Sequence, residues 1–336
     1  MFYILVFSLA FIFSIIFTKF FKHIAIKYNI YDIPKNNIKN HKSPTPYLGG
    51  LAIGSAFFLT LIILRLFSHF ETGTLKNLWG IFLASFLMLI IGLIDDLKDL
   101  NFKQKFFWQF ISATILILFD IKIKFISPNF MAIIFSYLWI IGITNAFNLI
   151  DIMDGLSSGV AFITSITFFL INSPFEASYV NFAALAIGGA ALGFLKFNFF
   201  PAKIFMGDAG SLFIGIILAS LSLGANYSGN NDIAVFSPIL ILILPIYDTL
   251  YISYKRMQRG RSIFLGSKDH IAIRLKIKGF STKKIVSILY SVSIVASFLA
   301  FFIVKSKTNI AIILYLIIII LCLYFGKVLG KIKIDD

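Results

Sequence analysis

Apolar runs of about 16–20 residues recur from one end of the chain to the other, and each is close to the length that a transmembrane helix needs. Only 13% of the residues are charged, about half the fraction usual in soluble proteins. A single soluble core could not bury this much apolar surface. No linker, low-complexity tract or internal repeat divides the chain, so we predict one all-α integral membrane domain over residues 1–336.

The apolar runs define eleven predicted membrane spans. In chain order they are Phe2–Phe17, Leu48–Leu64, Leu78–Ile94, Phe106–Phe119, Ala132–Ala146, Val160–Ile171, Val180–Leu195, Leu212–Ala225, Ala234–Tyr254, Ile285–Val304 and Ile310–Phe325. The sixth span is short, and its merger with a neighbour would change the topology. An odd number of spans puts the two termini on opposite sides of the membrane.

The distribution of Lys and Arg orients these spans. With the N-terminus outside, 24 of the 30 basic residues fall in segments predicted to be cytoplasmic, as the positive-inside rule expects. This predicts a multi-pass protein of the cell inner (plasma) membrane with a cytoplasmic C-terminus. The net charge of +15 is then a property of loops in contact with the lipid bilayer, and no nucleic acid partner is predicted. Cys322 has no second cysteine with which to form a disulfide or a metal site.

Carboxylates collect at the predicted cytoplasmic face, in four loops. They are Asp95, Asp96, Asp99, Asp151, Asp154, Asp208 and Asp269. Two carboxylates 4 Å apart repel by roughly 4 kcal/mol at an effective dielectric constant of 20, so a cluster of them needs a cation. Oxygen ligands beside a phosphate substrate favour magnesium, with manganese as the alternative. For any single acid, a solvated loop end remains an alternative interpretation.

Two of these segments have informative spacing. Asp95 and Asp96 end an apolar run as adjacent carboxylates, of which one can hold a metal while the other takes a proton. Farther along, amides and carboxylates recur every third residue and therefore share one helix face or turn. These residues are Asn145, Asn148, Asp151 and Asp154. Side-chain amides can bind a nucleobase or a sugar, and helix capping is the alternative.

Three further segments carry candidate residues. Asp208 lies between glycines just before an apolar run, where backbone N–H groups can approach a phosphate, although an ordinary Gly-rich turn is the alternative. The Pro- and Gly-containing segment 41–50 contains Lys42, which can neutralise a phosphate or act as an interfacial lysine. The basic loop 255–284 contains His270 and suits a pyrophosphate substrate. Asp248 lies within the ninth span, where an acid indicates either function or a structural hydrogen bond.

Taken in order, these motifs resemble the polyprenyl-phosphate N-acetylhexosamine-1-phosphate transferases, the glycosyltransferase family 4 enzymes that include WecA, TagO and MraY. The resemblance covers about residues 41–275. It implies a magnesium-dependent transfer of a sugar 1-phosphate, with N-acetylglucosamine as the expected sugar, from a UDP-N-acetylhexosamine to undecaprenyl phosphate. The reaction would release UMP at the cytoplasmic face, as the first step of a cell-envelope polysaccharide pathway.

The resemblance also implies roles for individual residues. The catalytic residues would be Asp95, Asp96, Asp208 and His270. The magnesium ligands would be Asp208, Asp96 and Asp151. The residues that contact the two substrates would be Lys42, Thr45, Lys105, Asn148, Asp151, Asn198, Phe205 and Arg261. Asn198 and Phe205 match positions that bind and stack on uracil.

The chain departs from the family pattern at two places, and the missing histidines together with the count of eleven spans favour the WecA/TagO branch. The family often has Asp-His-X-His-His-Arg-Leu, whereas this chain has Ala272 and Ile273 in place of the last two histidines. Ile152 replaces the glycine that usually follows Asp151. The phospho-N-acetylmuramoyl-pentapeptide transferases, which usually keep more of these histidines and ten spans, are the alternative. A transporter of nucleotide sugars or lipid-linked sugars is a more distant one, and a homodimer is left open.

Overall fold

The computed structural model describes residues 2–32, 44–67, 72–173, 179–260, 262, 269–332 and 334, and within them the fold is helical. The helices are α1 Phe2–Lys27, α2 Gly49–Phe67, α3 Thr72–Lys98, α4 Phe102–Leu118, α5 Asn129–Ile150, α6 Leu156–Asn172, α7 Tyr179–Asn198, α8 Gly207–Gly224, α9 Ser237–Ile241, α10 Ile243–Gln258, α11 Ile271–Ile277, α12 Thr282–Lys305 and α13 Thr308–Gly330, with a 3₁₀ helix at Asp232–Phe236. A short antiparallel pair joins β1, Tyr31–Asp32, to β2, Thr45–Pro46. The predicted all-α class is confirmed.

Every predicted span coincides with a helix or, for the ninth, with a bent helix pair. In the described part of the chain, eight helices are long and apolar enough to cross a bilayer: α1, α2, α3, α5, α7, α8, α12 and α13. The ninth predicted span is divided into Asp232–Ile241 and Ile243–Gln258, which meet at 73°. Helices α4 and α6 have 17 residues each, about 26 Å at 1.5 Å per residue, and fall short of a roughly 30 Å hydrocarbon core. The architecture is that of a multi-pass membrane protein, and the count of eleven spans stays a prediction.

Helices α7 and α8 form the centre of the bundle, with 78% of the most apolar stretch of each buried. Helix α7 is rich in Gly and Ala, and α8 in Gly, Ala and Ser; small residues let neighbouring helices approach closely within a membrane. Helix α13 is at the other extreme, with 6% of its apolar stretch buried. It therefore presents nearly its whole surface outside the bundle.

The start of α8 is wedged between α2 and α3. A Cβ atom at Gly92 of α3 would lie 2.5 Å from Cα of Ala209, and one at Gly50 of α2 would lie 2.7 Å from Cα of Gly210. Such contacts exclude any side chain at these two positions. The close approach brings the first turn of α8 beside the last turns of α3, where the paired aspartates lie.

Candidate active site

The predicted acids of α3, α5 and α8 meet at one end of the bundle. Asp95 and Asp96 lie in the last turns of α3, Asp151 follows the last residue of α5, and Asp208 lies in the first turn of α8. The first turn of α4 adds Lys105. The cluster therefore combines helix ends that are more than 100 positions apart in the sequence.

Asp208 is held by a lysine and an amide. Lys105 donates from Nζ to Oδ2 of Asp208 over 2.9 Å, and Asn148 donates from Nδ2 to Oδ1 over 2.9 Å. The Asn148 amide also donates to Oγ of Ser211 over 2.9 Å. Asp208 nevertheless keeps 32% of its side chain exposed, so a ligand can reach it.

Lys105 also forms an ion pair with Oδ2 of Asp95. The Asp95 side chain is 3% exposed, and its Oδ1 accepts a hydrogen bond of 2.8 Å from the backbone N–H of Leu100. One ammonium group thus bridges a buried carboxylate and an accessible one. Without it, two like charges would face each other in a poorly solvated place.

Asp96 has a different set of contacts from its neighbour. Its two carboxylate oxygens accept hydrogen bonds from the backbone N–H groups of Asp208, at 2.7 Å, and Ala209, at 3.1 Å. These are the free donors at the start of α8, where the helix dipole favours a negative charge. A side chain at Gly207, which has a φ of +70°, would collide with the Asp96 carboxylate. Asp96 therefore fixes the position of Asp208, and a metal contact by Asp96 stays a prediction.

Asp151 lies beyond the end of α5 and is half-buried. Burial, then the nearby charges of Asp208 and Asp154, raise the pKa of Asp151 to about 7. Asp154 itself accepts a hydrogen bond of 2.8 Å from the backbone N–H of Ala202. A carboxyl group with a raised pKa beside other acids gains its charge readily when a cation binds.

The carboxylates fit a magnesium ion that is held partly by the protein and partly by substrate phosphates and waters. Among the described residues, no group of three or more His, Cys, Asp or Glu side chains is placed to hold a metal ion by itself. Magnesium commonly uses one or two carboxylates, with waters and substrate phosphates completing its octahedron. Asp208, accessible and electrostatically coupled to Asp151, supplies such a partial set.

His270 belongs to a second polar cluster. Its Nδ1 lies 2.8 Å from Oδ2 of Asp248, whose Oδ1 accepts a hydrogen bond of 2.8 Å from the backbone N–H of Ile271. Asp248 thus holds both the ring and the first turn of α11. Neighbouring Arg274 donates to Oδ1 of Asp269 over 2.6 Å and to the backbone oxygen of Ile332 over 2.8 Å. The acid within the ninth predicted span therefore has a structural hydrogen-bonding role.

Comparisons with known proteins identify the family. Residues 78–226 match the family described as Glycosyl transferase family 4. The chain is 34% identical over 327 residues to a probable undecaprenyl-phosphate N-acetylglucosaminyl 1-phosphate transferase of Bacillus subtilis (strain 168), covering 95% of this chain and 88% of that relative. The chain belongs to this transferase family.

Two further relatives from the same family differ in substrate. A phospho-N-acetylmuramoyl-pentapeptide-transferase of Prochlorococcus marinus (strain MIT 9312) is 33% identical over 288 residues, covering 78% of this chain and 77% of that protein. A decaprenyl-phosphate N-acetylglucosaminephosphotransferase of Mycobacterium tuberculosis (strain CDC 1551 / Oshkosh) is 31% identical over 284 residues, covering 74% and 70%. The relatives therefore agree on the type of transferase and differ in the sugar that their names specify.

The two positions that depart from the family's histidine pattern are buried. Ala272 is 2% exposed and Ile273 is 9% exposed, and Ala272 packs into the main hydrophobic core. A second and third histidine would replace apolar contacts here. Of the three histidines in the family motif, this chain therefore has only the first, His270.

Two of the residues that the family resemblance assigns to substrate binding are buried. Asn198 is 3% exposed: its oxygen accepts hydrogen bonds from the backbone N–H of Gly155 and from Ser158, and its nitrogen donates to the backbone oxygen of Ile204. Thr45 is 7% exposed in β2. For both residues, substrate contact stays a prediction.

The segment before α8 contains the last of the family's predicted nucleotide contacts. Phe205 is half-buried, and its backbone N–H donates to Pro46 while its backbone oxygen accepts from Gly49. These bonds tie the loop to the start of α2. Lys42 and Arg261 lie outside the described residues.

Sequence reasoning missed a side chain that supports the Asp151 loop. Tyr290 of α12 donates a hydrogen bond from its hydroxyl to the backbone oxygen of Gly155, which has a φ of +79°. In the sequence Tyr290 is one aromatic residue within an apolar run, and only its tertiary contact reveals it. The paired exchange of hydrogen bonds between Gln109 and Asn145, at 3.2 and 2.7 Å, was likewise not predicted.

Proposed function

We propose that this protein transfers N-acetylglucosamine 1-phosphate from UDP-N-acetylglucosamine to undecaprenyl phosphate and releases UMP. The observation that carries the proposal is the lysine-bridged pair of carboxylates, Asp95 and Asp208, beside the amide of Asn148. Such a set of charges suits phosphoryl transfer, which depends mainly on positioning and electrostatics. The Bacillus subtilis relative, whose name specifies this sugar and carrier, supports the choice of substrates.

We further propose eleven spans, with the N-terminus outside and the active site at the cytoplasmic face of the plasma membrane. The agreement of every predicted apolar run with a helix, or a bent helix pair, supports this topology. The placement of 24 of the 30 Lys and Arg residues in predicted cytoplasmic segments supports the orientation. In this topology the reaction begins a cell-envelope polysaccharide pathway on the side where nucleotide sugars are made.

Asp208 and Asp151 would hold a magnesium ion, which neutralises the pyrophosphate of the sugar nucleotide when bound. Lys105 would donate to phosphate oxygens after it gives up one of its two carboxylate partners. Asp95, the ion-pair partner of Lys105, would accept a proton from the carrier phosphate. An oxygen of that phosphate then bonds to the β-phosphorus, and the bond between this phosphorus and UMP breaks.

The experiment uses membranes that contain the protein, supplied with undecaprenyl phosphate, magnesium and UDP-N-acetylglucosamine labelled in the sugar. We expect label in the butanol-extractable lipid and equimolar UMP, both abolished by EDTA and by Asp208→Asn. Asp232→Asn, which changes an exposed carboxyl group outside the acidic site, is the matched control and retains activity. Absence of labelled lipid with this donor and with UDP-N-acetylgalactosamine would refute the N-acetylhexosamine assignment.

The second candidate is the phospho-N-acetylmuramoyl-pentapeptide transfer named for the Prochlorococcus relative, at 33% identity. Against it stand the buried apolar residues at Ala272 and Ile273, where that branch usually keeps histidines. The same assay with labelled UDP-N-acetylmuramoyl-pentapeptide separates the two candidates. Label accumulating inside sealed vesicles without lipid product would instead indicate a transporter.

A further inference from the structure

A cavity lies at the opposite end of the bundle from the acidic site. Its volume is about 860 Å³, and it is lined by the first half of α5, the end of α8, α9 and their connecting segments. Along α8, Ser222 in its wall is about 21 Å from Asp208 at 1.5 Å per residue. The cavity is therefore separate from the acidic site.

The cavity opens toward the lipid. Phe135 and Leu138 of α5, together with Ile239 of α9, line it and are also exposed on the outer surface of the bundle. Helix α5 is long and apolar enough to cross the membrane, so the surroundings of its exposed face are hydrocarbon. A molecule can therefore enter this cavity sideways from the bilayer.

Two of the polar side chains in the cavity wall, Trp139 and Tyr227, form hydrogen bonds to Ser222. Trp139 donates from Nε1 to Oγ of Ser222 over 2.7 Å, and the hydroxyl of Tyr227 donates to the backbone oxygen of Ser222 over 3.1 Å. A polar ligand would have to displace these bonds, which lie in a wall made mainly of apolar side chains. The interior is therefore complementary to an apolar chain.

The mouth of the cavity is charged. Lys124 and Asp120 line it, with Nζ of Lys124 2.8 Å from Oδ2 of Asp120. Lys122 contributes a second ammonium, 3.8 Å from Oδ1 of the same carboxylate. The hydrogen bond from Lys124, with the charges of Lys122 and Lys76, holds the pKa of Asp120 below its usual range. One carboxylate among these lysines leaves the mouth positively charged.

We propose that this cavity binds an anionic phospholipid of the leaflet opposite the acidic site, with an acyl chain in the cavity and the headgroup phosphate beside Lys122 and Lys124. An apolar interior next to a positive mouth matches a molecule that joins a hydrocarbon chain to a negative charge. A soluble anion would leave the apolar wall unfilled. A zwitterionic lipid would use the same interior and gain less from the lysines.

Native mass spectrometry of the full chain in detergent, titrated with phosphatidylglycerol or phosphatidylcholine, tests the proposal. We expect tighter binding of phosphatidylglycerol, and we expect the Lys122→Gln/Lys124→Gln variant to weaken it roughly tenfold while binding of phosphatidylcholine changes little. The matched control is Lys305→Gln/Lys307→Gln, which removes two exposed lysines that do not line the cavity.

A second variant tests the cavity itself. Leu138→Trp adds bulk at the lipid-facing rim and should weaken the binding of both lipids, with helical content and melting temperature unchanged. Equal affinity of the unaltered protein for the two lipids would overturn the proposal. So would full retention of phosphatidylglycerol binding in the double-lysine variant or in Leu138→Trp.

Discussion

Replacement of Lys105 by Gln tests the electrostatic core of the site. The ammonium is 28% exposed and bridges Asp95, whose side chain is 3% exposed, and Asp208. Each opposite-charge pair at 4 Å contributes roughly 4 kcal/mol at an effective dielectric constant of 20. Removal of one partner from a buried pair typically destabilises a protein by about 3–5 kcal/mol, because the remaining charge is left uncompensated.

Two quantities are expected to change in the Lys105→Gln variant. Transfer of labelled sugar phosphate to lipid should fall by about 10²–10³-fold, the usual effect of losing one electrostatic donor at a reacting centre. The melting temperature in detergent should fall by roughly 5–10 °C, given about 2 °C per kcal/mol for a chain of this size. Lys103→Gln, an exposed lysine in the same turn of α4, should leave both quantities unchanged.

The double variant Lys105→Gln/Asp95→Asn separates stability from catalysis. Removal of the buried charge along with its partner should restore most of the melting temperature, because no uncompensated carboxylate remains. Activity should stay low, because the ammonium is still absent. Transfer within threefold of the unaltered rate in Lys105→Gln would refute the assigned role of this lysine. Equal melting temperatures for the single and double variants would refute the buried ion pair.

Three further outcomes are expected. Asp96→Asn should lower the free energy of unfolding by about 1–3 kcal/mol, because it weakens the capping of α8. The control is Asp99→Asn, which changes an exposed carboxyl group and should leave this free energy unchanged. Equal denaturation midpoints for the two variants would contradict the capping role. Because the folded-state pKa of Asp151 is raised to about 7, the folded state holds an extra proton between about pH 4 and 7. The contribution of Asp151 to stability therefore falls as the pH rises through that range. Without magnesium, the free energy of unfolding of Asp151→Asn should depend less on pH than that of the unaltered protein, and identical profiles would exclude the shift. Asp248→Asn should lower both activity and the melting temperature, because it weakens the contacts that hold His270 and the first turn of α11, and an unchanged melting temperature would argue against this role.

The sequence predicted where the long apolar helices lie, because hydrophobic length is a local property of the chain. The run Leu48–Leu64 became α2, and the run Val180–Leu195 became α7, with ends that differ by a few residues. The sequence did not predict the 73° bend between Ile241 and Ile243, since an apolar run looks the same whether its helix is straight or broken. Likewise, composition could not tell the central α8 from the peripheral α13.

The sequence by itself determined which residues could form the site. Asp95, Asp208 and Asn148 were singled out because they are polar residues at the ends of apolar runs that the predicted topology brings to one membrane face. Only the tertiary structure decided what each one contacts: Lys105 bridges two carboxylates 113 positions apart, and Asn198 bonds to protein groups in the interior. Side-chain partners depend on how helices pack, and packing depends on small residues such as Gly92 on distant helices. These contacts therefore cannot be predicted from any local pattern in the sequence.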